Sequence, residues 1–240
     1  MLQEVVLEVD PWSRKKKLRI FREEFLGSSP AAADCKIINE EVIQLYYSPS
    51  KQVLSAEISE PLEIKNKHLG YHITYDLSLF RVGFLDPPGS FGGRKMVLIE
   101  GTSFFEELNE STRSSHEKNR KLEYNGSSLH FMRSLASKQL HENRFRILDE
   151  SLEVDPYKYF DIKKDNGLIK VQLLTDKLII LYHDIEYSAL ETRGMFAIDR
   201  LGNHTPPLAA IFSGKIALGR VADMLPLNYF PEENQEKTGI

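Results

Sequence analysis

Residues Gly70 to Phe84, GYHITYDLSLFRVGF, alternate between apolar and polar side chains. Tyr71, Ile73, Tyr75, Leu77 and Leu79 share one face, because successive side chains of a strand point to opposite sides. The spacing predicts one long strand. Just downstream, Pro87-Pro88-Gly89-Ser90-Phe91-Gly92-Gly93 is a run of turn residues, and Lys95–Glu100 (KMVLIE) is strand-like again. A hairpin is expected there. Upstream, EVIQLYYS (41–48), QVLSAEIS (52–59) and PLEIKNK (61–67) read as strands, broken at Pro49-Ser50 and Glu60-Pro61.

Working outward, residues 3–9 (QEVVLEV) read as a short strand. A helix follows from Trp12 to Leu26, with Asp10 as its N-cap and Pro11 in its first turn. Its apolar residues Leu18, Phe21 and Phe25 fall at helical spacing, and Gly27 ends it. Ser28-Ser29-Pro30 starts a second short helix through Ala33 to about Cys35. On the C-terminal side the period changes. Phe104–Leu108 reads as one helical turn, 111–123 as a polar helix and 127–140 as an amphipathic helix. Strands return at 144–148, 168–174, 177–183, 193–199 and 208–217. Asp165-Asn166-Gly167, Thr175-Asp176 and Leu201-Gly202-Asn203 are their turns. Residues 232–240 read as a disordered polar tail.

In both β-rich regions the strands lie too close together for helical crossovers. The expected fold class is therefore α+β: a mostly antiparallel β-sheet, a segregated helical insert around 104–140 and an N-terminal helix. One domain over 1–240 is expected, with 1–103 and 104–240 as its halves should it subdivide.

Composition narrows the function classes. The 240 residues are 41% hydrophobic and 28% charged, enough for a sizeable core. A net charge of -4 argues against a dedicated nucleic-acid binder. Cys35 is the single cysteine, so no internal disulfide forms. No apolar run approaches the roughly 20 residues that span a bilayer. The start, MLQEVVLEVDPWS, lacks the basic and long apolar regions of a secretion signal. The chain is therefore expected to be either cytosolic or cut from a longer precursor.

Motifs for common chemistries are weak. The Gly89–Lys95 stretch fits no phosphate-binding pattern and precedes a strand, so a hairpin loop is expected. His183-Asp184-Ile185-Glu186, read as a strand, would split His183 and Ile185 from Asp184 and Glu186, and no metal-ligand set is expected. Cys35 reads as a small buried thiol. Ser127 and Ser128 precede a helix, where capping is the expected role. The basic run Arg14-Lys15-Lys16-Lys17 reads as a solvated helix face. Tyr46, Tyr47, Tyr71, Tyr75 and the other aromatics suit either strands or sugar stacking, and strands are expected.

His130 and Arg133 lie three residues apart on the amphipathic helix, nearly on one face. They suit a small-anion or carboxylate site. They equally suit a structural pairing, which is expected because one good acceptor satisfies a helical His. The binding candidates are His130, Arg133, Arg120 and Tyr71. No catalytic residue, metal or cofactor is expected.

Several ordered segments resemble the Bacteroidetes carboxypeptidase-like regulatory-domain-containing proteins. They are FREEFLG at 21–27, CKIIN at 35–39, PLEI at 61–64, NKHLGY at 66–71, KNR at 118–120, GSSLHFMRSL at 126–135 and GRVADMLPLNY at 219–229. The resemblance implies a region downstream of a small regulatory β-sandwich that this sequence lacks. It further implies a periplasmic or cell-surface location in a Gram-negative bacterium, and no peptidase activity. The expected function is a non-enzymatic binding or assembly module for another envelope protein or a glycan. The alternatives are a carbohydrate- or peptidoglycan-binding module, and a hydrolase with His130 as acid or base.

Overall fold

The computed structural model describes residues 9–84, 95–108 and 113–231. The expected strand at 3–9 (but for Val9), the Pro87–Gly93 loop and the 232–240 tail lie outside these residues. The fold is α+β with antiparallel sheets, as the patterning predicts. The chain divides into two compact units. The first runs to His116 and includes Arg220–Asp223; the second runs from Glu117 to Gly219 and resumes at Met224.

In the first unit, helix α1 (Arg14–Phe25) starts at Ser13, whose Oγ accepts the Lys16 N–H at 3.3 Å. Asp10 was the expected cap. Its carboxylate instead accepts N–H bonds from Trp12 at 2.9 Å and Tyr47 at 3.0 Å. Phe21 and Phe25, one turn apart, stack at 4.9 Å and are fully buried against Phe80 and Tyr75. Helix α2 (Pro30–Ala33) ends before Cys35, which opens strand β1 (Cys35–Ile37) rather than closing the helix. Pairing with another strand outweighs a weak local signal at that point.

The strands β2 (Ile43–Ser48), β3 (Val53–Ile58), β4 (Leu62–Asn66), β5 (Tyr71–Phe84) and β6 (Lys95–Glu107) complete a six-stranded sheet. Long β5 organises it. One edge pairs with β4 through Tyr71–Tyr75 and with β3 through Phe80–Gly83, while β6 runs along the other edge. Tyr71, Ile73, Tyr75 and Leu77 face the core as expected, but Leu79 does not follow them. A register shift between Leu77 and Leu79 reverses the alternation, so Phe80 and Val82 are the buried pair beyond it.

The expected helical turn at Phe104–Leu108 is overturned. These residues continue β6 to Glu107, with Phe105 opposite Ile73. A 14-residue partner strand supplies bonds along its whole length, which a single isolated helical turn cannot match.

Helix α3 (Arg113–Tyr124) belongs to the first unit through His116 and to the second from Glu117. Helix α4 (Ser128–Ala136) starts at Ser127, whose Oγ accepts the His130 N–H at 3.1 Å. Two antiparallel sheets follow. One orders β14 (His204–Thr205), β13 (Phe196–Ile198), β10 (Leu168–Leu173) and β9 (Phe160–Asp165). The other orders β15 (Ala210–Gly214), β12 (Glu186–Thr192), β11 (Lys177–Tyr182), β7 (Phe145–Asp149) and β8 (Leu152–Glu153). Phe131 and Leu135 of α4 join Phe145, Val171, Ile180, Leu190 and Phe196 in one core, which draws on both sheets.

Strands β9 and β12 escape the sequence reading because FDIKKD and EYSALET carry little apolar alternation. His183 and Asp184, read as strand residues, take positive φ values of 49° and 64°. They form part of the loop joining β11 to β12. That loop removes the face assignment made for His183–Glu186.

Candidate functional site

Helix α4 places His130 and Arg133, and both are fully employed inside the second unit. His130 is 5% exposed. Its Nδ1 accepts the Gly126 N–H at 3.2 Å. The ring lies 4.8 Å from Tyr124, 4.9 Å from Phe145 and 5.8 Å from Tyr182. Burial pushes its pKa down to about 4; the Arg133 and His183 charges act the same way, and a hydrogen bond with Asn143 opposes them. The imidazole is therefore neutral near pH 7, with one nitrogen committed as an acceptor. A general base working near neutrality is tuned toward the operating pH, not away from it.

Arg133 spends its guanidinium on the backbone. Nε donates to Leu201 O at 2.9 Å, and the two terminal nitrogens donate to Tyr229 O at 2.7 Å and Leu227 O at 2.8 Å. The planar group lies 3.9 Å over the Phe230 ring. Gly202, at φ +87°, lets the chain pass: a Cβ there would sit 2.6 Å from Arg133 Cγ. All three nitrogens engage protein carbonyls, so the side chain works as a clamp.

Arg120 is 3% exposed and pairs with Glu117 Oε1 at 2.8 Å on α3. Tyr71 belongs to the first unit, where it is 4% exposed and meets Phe105 edge-on at 5.4 Å. The four sequence-derived candidates are thus all polar or aromatic groups with burial and partners. His130 and Arg133 are neighbours on one helix.

The basic run at the start of α1 is exposed at Arg14, Lys15 and Lys16, as a solvated face requires, but it also reaches the neighbouring strand. Arg14 donates to Ile43 O at 2.8 Å and Glu40 O at 2.9 Å, and Lys17 donates to Leu45 O at 2.8 Å and Asp10 at 2.5 Å. Lys16 lies 3.7 Å over Trp12, which stacks on Tyr47 at 3.6 Å. With Asp10 bound to Tyr47 N–H, these side chains close the outer edge of β2. A sequence signal was present in the spacing of Asp10, Arg14 and Lys17, but the acceptors are backbone atoms that no residue pattern reveals.

Cys35 opens onto a shallow groove of about 190 Å³ lined by Ala33, Asp34, Lys36, Lys65 and Lys67. Lys36 stands directly opposite Lys65 in the β1–β4 pair. Burial, followed by the Asp223 and Asp34 carboxylates, pushes the thiol up to about 12, while a backbone hydrogen bond at Lys36 opposes them. Such a thiol is a poor nucleophile at physiological pH. Among the described residues no group of three His, Cys, Asp or Glu is placed to hold a metal ion, and no helix is long and apolar enough to cross a membrane.

The feature that residue-by-residue reading missed is the edge of β6. Among the described residues this 13-residue strand pairs with β5 alone. Met96 is 65% exposed and Phe104 is 63% exposed, both on its outer face. Long apolar edges of this kind template further strands unless they are blunted by charge, proline or a covering element.

The chain matches no protein-family model, no curated protein and no solved structure.

Two exposed aromatics of the first unit, Tyr46 and Phe104, lie apart on its sheet. Tyr46 sits in the row Tyr46–Ser55–Arg81–Leu98, and Phe104 in the row of Thr74 and Glu63. The two rows meet β6 at Leu98 and Phe104, six steps apart, roughly 20 Å along a strand. That spacing exceeds a single sugar ring.

Proposed function

We propose that this chain is a non-enzymatic binding or assembly module of an envelope protein, which engages a protein partner through the β6 edge by strand addition. One observation carries the reading: a thirteen-residue strand that, among the described residues, pairs on one side only, with Met96 and Phe104 exposed along it. Strand addition draws affinity from main-chain hydrogen bonds and specificity from alternate side chains. Met96 and Phe104 supply those side chains.

The polar groups proposed at first as binding residues support the same reading from another side. His130 accepts a backbone N–H, and Arg133 holds three carbonyls. Their chemistry is spent on building the second unit. The envelope location rests on the family-like segments FREEFLG, NKHLGY and GSSLHFMRSL.

The test is a photo-crosslinking residue in place of Phe104 in the protein's native cells, with the same group at exposed Leu152 as control. A protein adduct at position 104 that is absent at 152 supports the reading. Irradiation that yields no adduct at 104, in protein recovered from the envelope fraction, overturns the contact. Recovery of the protein only from cytosol overturns the location.

A further inference from the structure

We propose that the partner added to β6 is the β6 strand of a second copy of this chain, paired antiparallel about a two-fold axis through Gly101. The inference rests on the reading of β6 as an interaction edge and names its occupant.

The direction of the backbone groups comes first. Leu108 N–H donates to Gly70 O at 2.8 Å, so Tyr71 and Glu107 form a pair that does not exchange hydrogen bonds. The bonds to β5 then fall at Glu106, Phe104 and Thr102. At the far end Phe84 N–H donates to Gln52 O at 2.9 Å, which turns Val82 toward β3 and turns Arg81 and Gly83 toward Leu98 and Met96. The β5 register shift keeps the two ends in phase on β6. Even positions of β6 bond to β5 throughout, and Val97, Ile99, Gly101, Ser103 and Phe105 aim their groups at the open edge.

The sequence then selects the occupant. Gly101 is the midpoint of Lys95–Glu107. It lies opposite the register shift, where a Cβ would sit 2.4 Å from Asp76 O and 2.4 Å from Tyr75 Cε1. An axis there overlaps all 13 residues. It sets Val97 opposite Phe105 of the second copy, Leu98 opposite Phe104, Ile99 opposite Ser103 and Glu100 opposite Thr102. No like charges face each other. An axis at Glu100 sets that glutamate against itself, and one at Ser103 sets Glu100 against Glu106; like charges directly opposite are destabilising. An axis at Thr102 shortens the overlap and puts Val97 opposite Glu107. The strand thus pairs with itself in one full-length register, in which Val97 meets Phe105 and Leu98 meets Phe104, Met96 and Ile99 stand opposite Glu106 and Ser103, and both copies turn the same sheet face to their cores.

Sedimentation of the purified full chain tests this. The expected mass is twice the 27.6 kDa of one chain. Ser103→Pro removes an outward N–H that β5 does not use, so it should give a folded monomer. Thr102→Pro removes a bond to β5 and should destabilise the fold itself. Should Ser103→Pro fold poorly, amide exchange on the wild type decides: Val97, Ile99 and Ser103 should lose protection on dilution while Leu98 and Thr102 keep theirs. A wild-type monomer at the highest soluble concentration overturns the self-pairing, as does a dimer that survives folded Ser103→Pro or shows no such dilution dependence. A monomer that still gives the Phe104 adduct in cells sinks the self-pairing alone, whereas a monomer without the adduct sinks both readings.

Discussion

The Gly126 N–H donates to Nδ1 of His130 at 3.2 Å, so a histidine side chain closes the turn that launches its own helix. Gly126 takes φ +75°, and a Cβ there would lie 2.7 Å from Tyr182 Cδ1. The turn, the imidazole and the aromatic wall around it form one unit. The ring's place is fixed by the backbone it supports.

That arrangement has a pH signature. The folded-state pKa of His130 lies at about 4, below the ordinary value of 6.5, chiefly through burial. Below pH 6.5 the unfolded chain takes up a proton that the folded chain refuses, so stability falls as pH drops from 6.5 toward 4. The loss from this group is about 3 kcal/mol across that window. His204, also lowered mainly by burial, acts in the same direction. Denaturant titrations at pH 7 and pH 4.5 should show wild type losing more stability than His130→Gln. At pH 7, His130→Ala should lower stability by about 2 kcal/mol, because the Gly126 N–H loses its acceptor. Unchanged stability in His130→Ala, with loss of a bound ligand, would contradict the structural role.

Arg133 ties Leu201 to Leu227 and Tyr229 within the second unit. Replacing it with Ala should cost about 3 kcal/mol, since three carbonyls lose a charged donor. Arg133→Lys should recover less than half, because an ammonium cannot address three divergent acceptors. Gly202→Ala should mimic the loss, through both its clash with the Arg133 stem and its φ of +87°. Limited proteolysis provides the readout: cleavage near Leu227–Phe230 should accelerate in all three variants. Equal cleavage in wild type and Arg133→Ala would contradict the clamp.

What the sequence makes legible is periodicity. The alternation at Tyr71, Ile73, Tyr75 and Leu77 marks β5, and Ser127 before an apolar helix marks α4. What it hides is whatever one strand imposes on another. The β5 register shift moves the buried face from Leu79 to Phe80, and pairing with β5 holds Phe104–Glu107 in β6. Strand β12 is stabilised by neighbours on both sides, β11 and β15, and edge strand β9 by β10, rather than by their own pattern. The candidate residues fare similarly. His130 and Arg133 stand out by type and spacing, but their partners are backbone atoms at Gly126, Leu201, Leu227 and Tyr229, which composition cannot announce.

Cys35 should resist alkylation. Its thiol is pushed up to about 12, first by burial and then by the Asp223 and Asp34 carboxylates. Reaction depends on the thiolate, which is scarce several units below the pKa. Iodoacetamide at pH 8 should label the folded chain at least tenfold more slowly than the chain in denaturant. Asp223→Asn should speed labelling modestly while burial still dominates. Labelling of the folded chain at the denatured rate would show the thiol to be open and ordinary.

The two outer edges of the first unit's long strands are treated differently, and that contrast is testable. On β2, Asp10, Arg14 and Lys17 occupy the Tyr47 N–H and the Ile43 and Leu45 carbonyls. Asp10 and Lys17 are largely shielded from water, at 14% and 12% side-chain exposure, with 2.5 Å between them. For Asp10, burial acts to raise the pKa, but hydrogen bonds from Lys17, Tyr47 and Trp12 outweigh it and the net shift is downward. Its contribution is therefore present above the ordinary carboxylate range and lost as pH falls through the lowered value. Asp10→Ala should destabilise by about 3 kcal/mol, because it strands a shielded lysine as well as an edge N–H. It should also open β2 to strand addition, so light scattering should report growth beyond any dimer. Combining it with Ser103→Pro separates the edges: with β6 blocked and β2 exposed, the double variant should still self-associate but stop at a dimer. A double variant that remains monomeric would show that the Asp10 cluster does not guard β2.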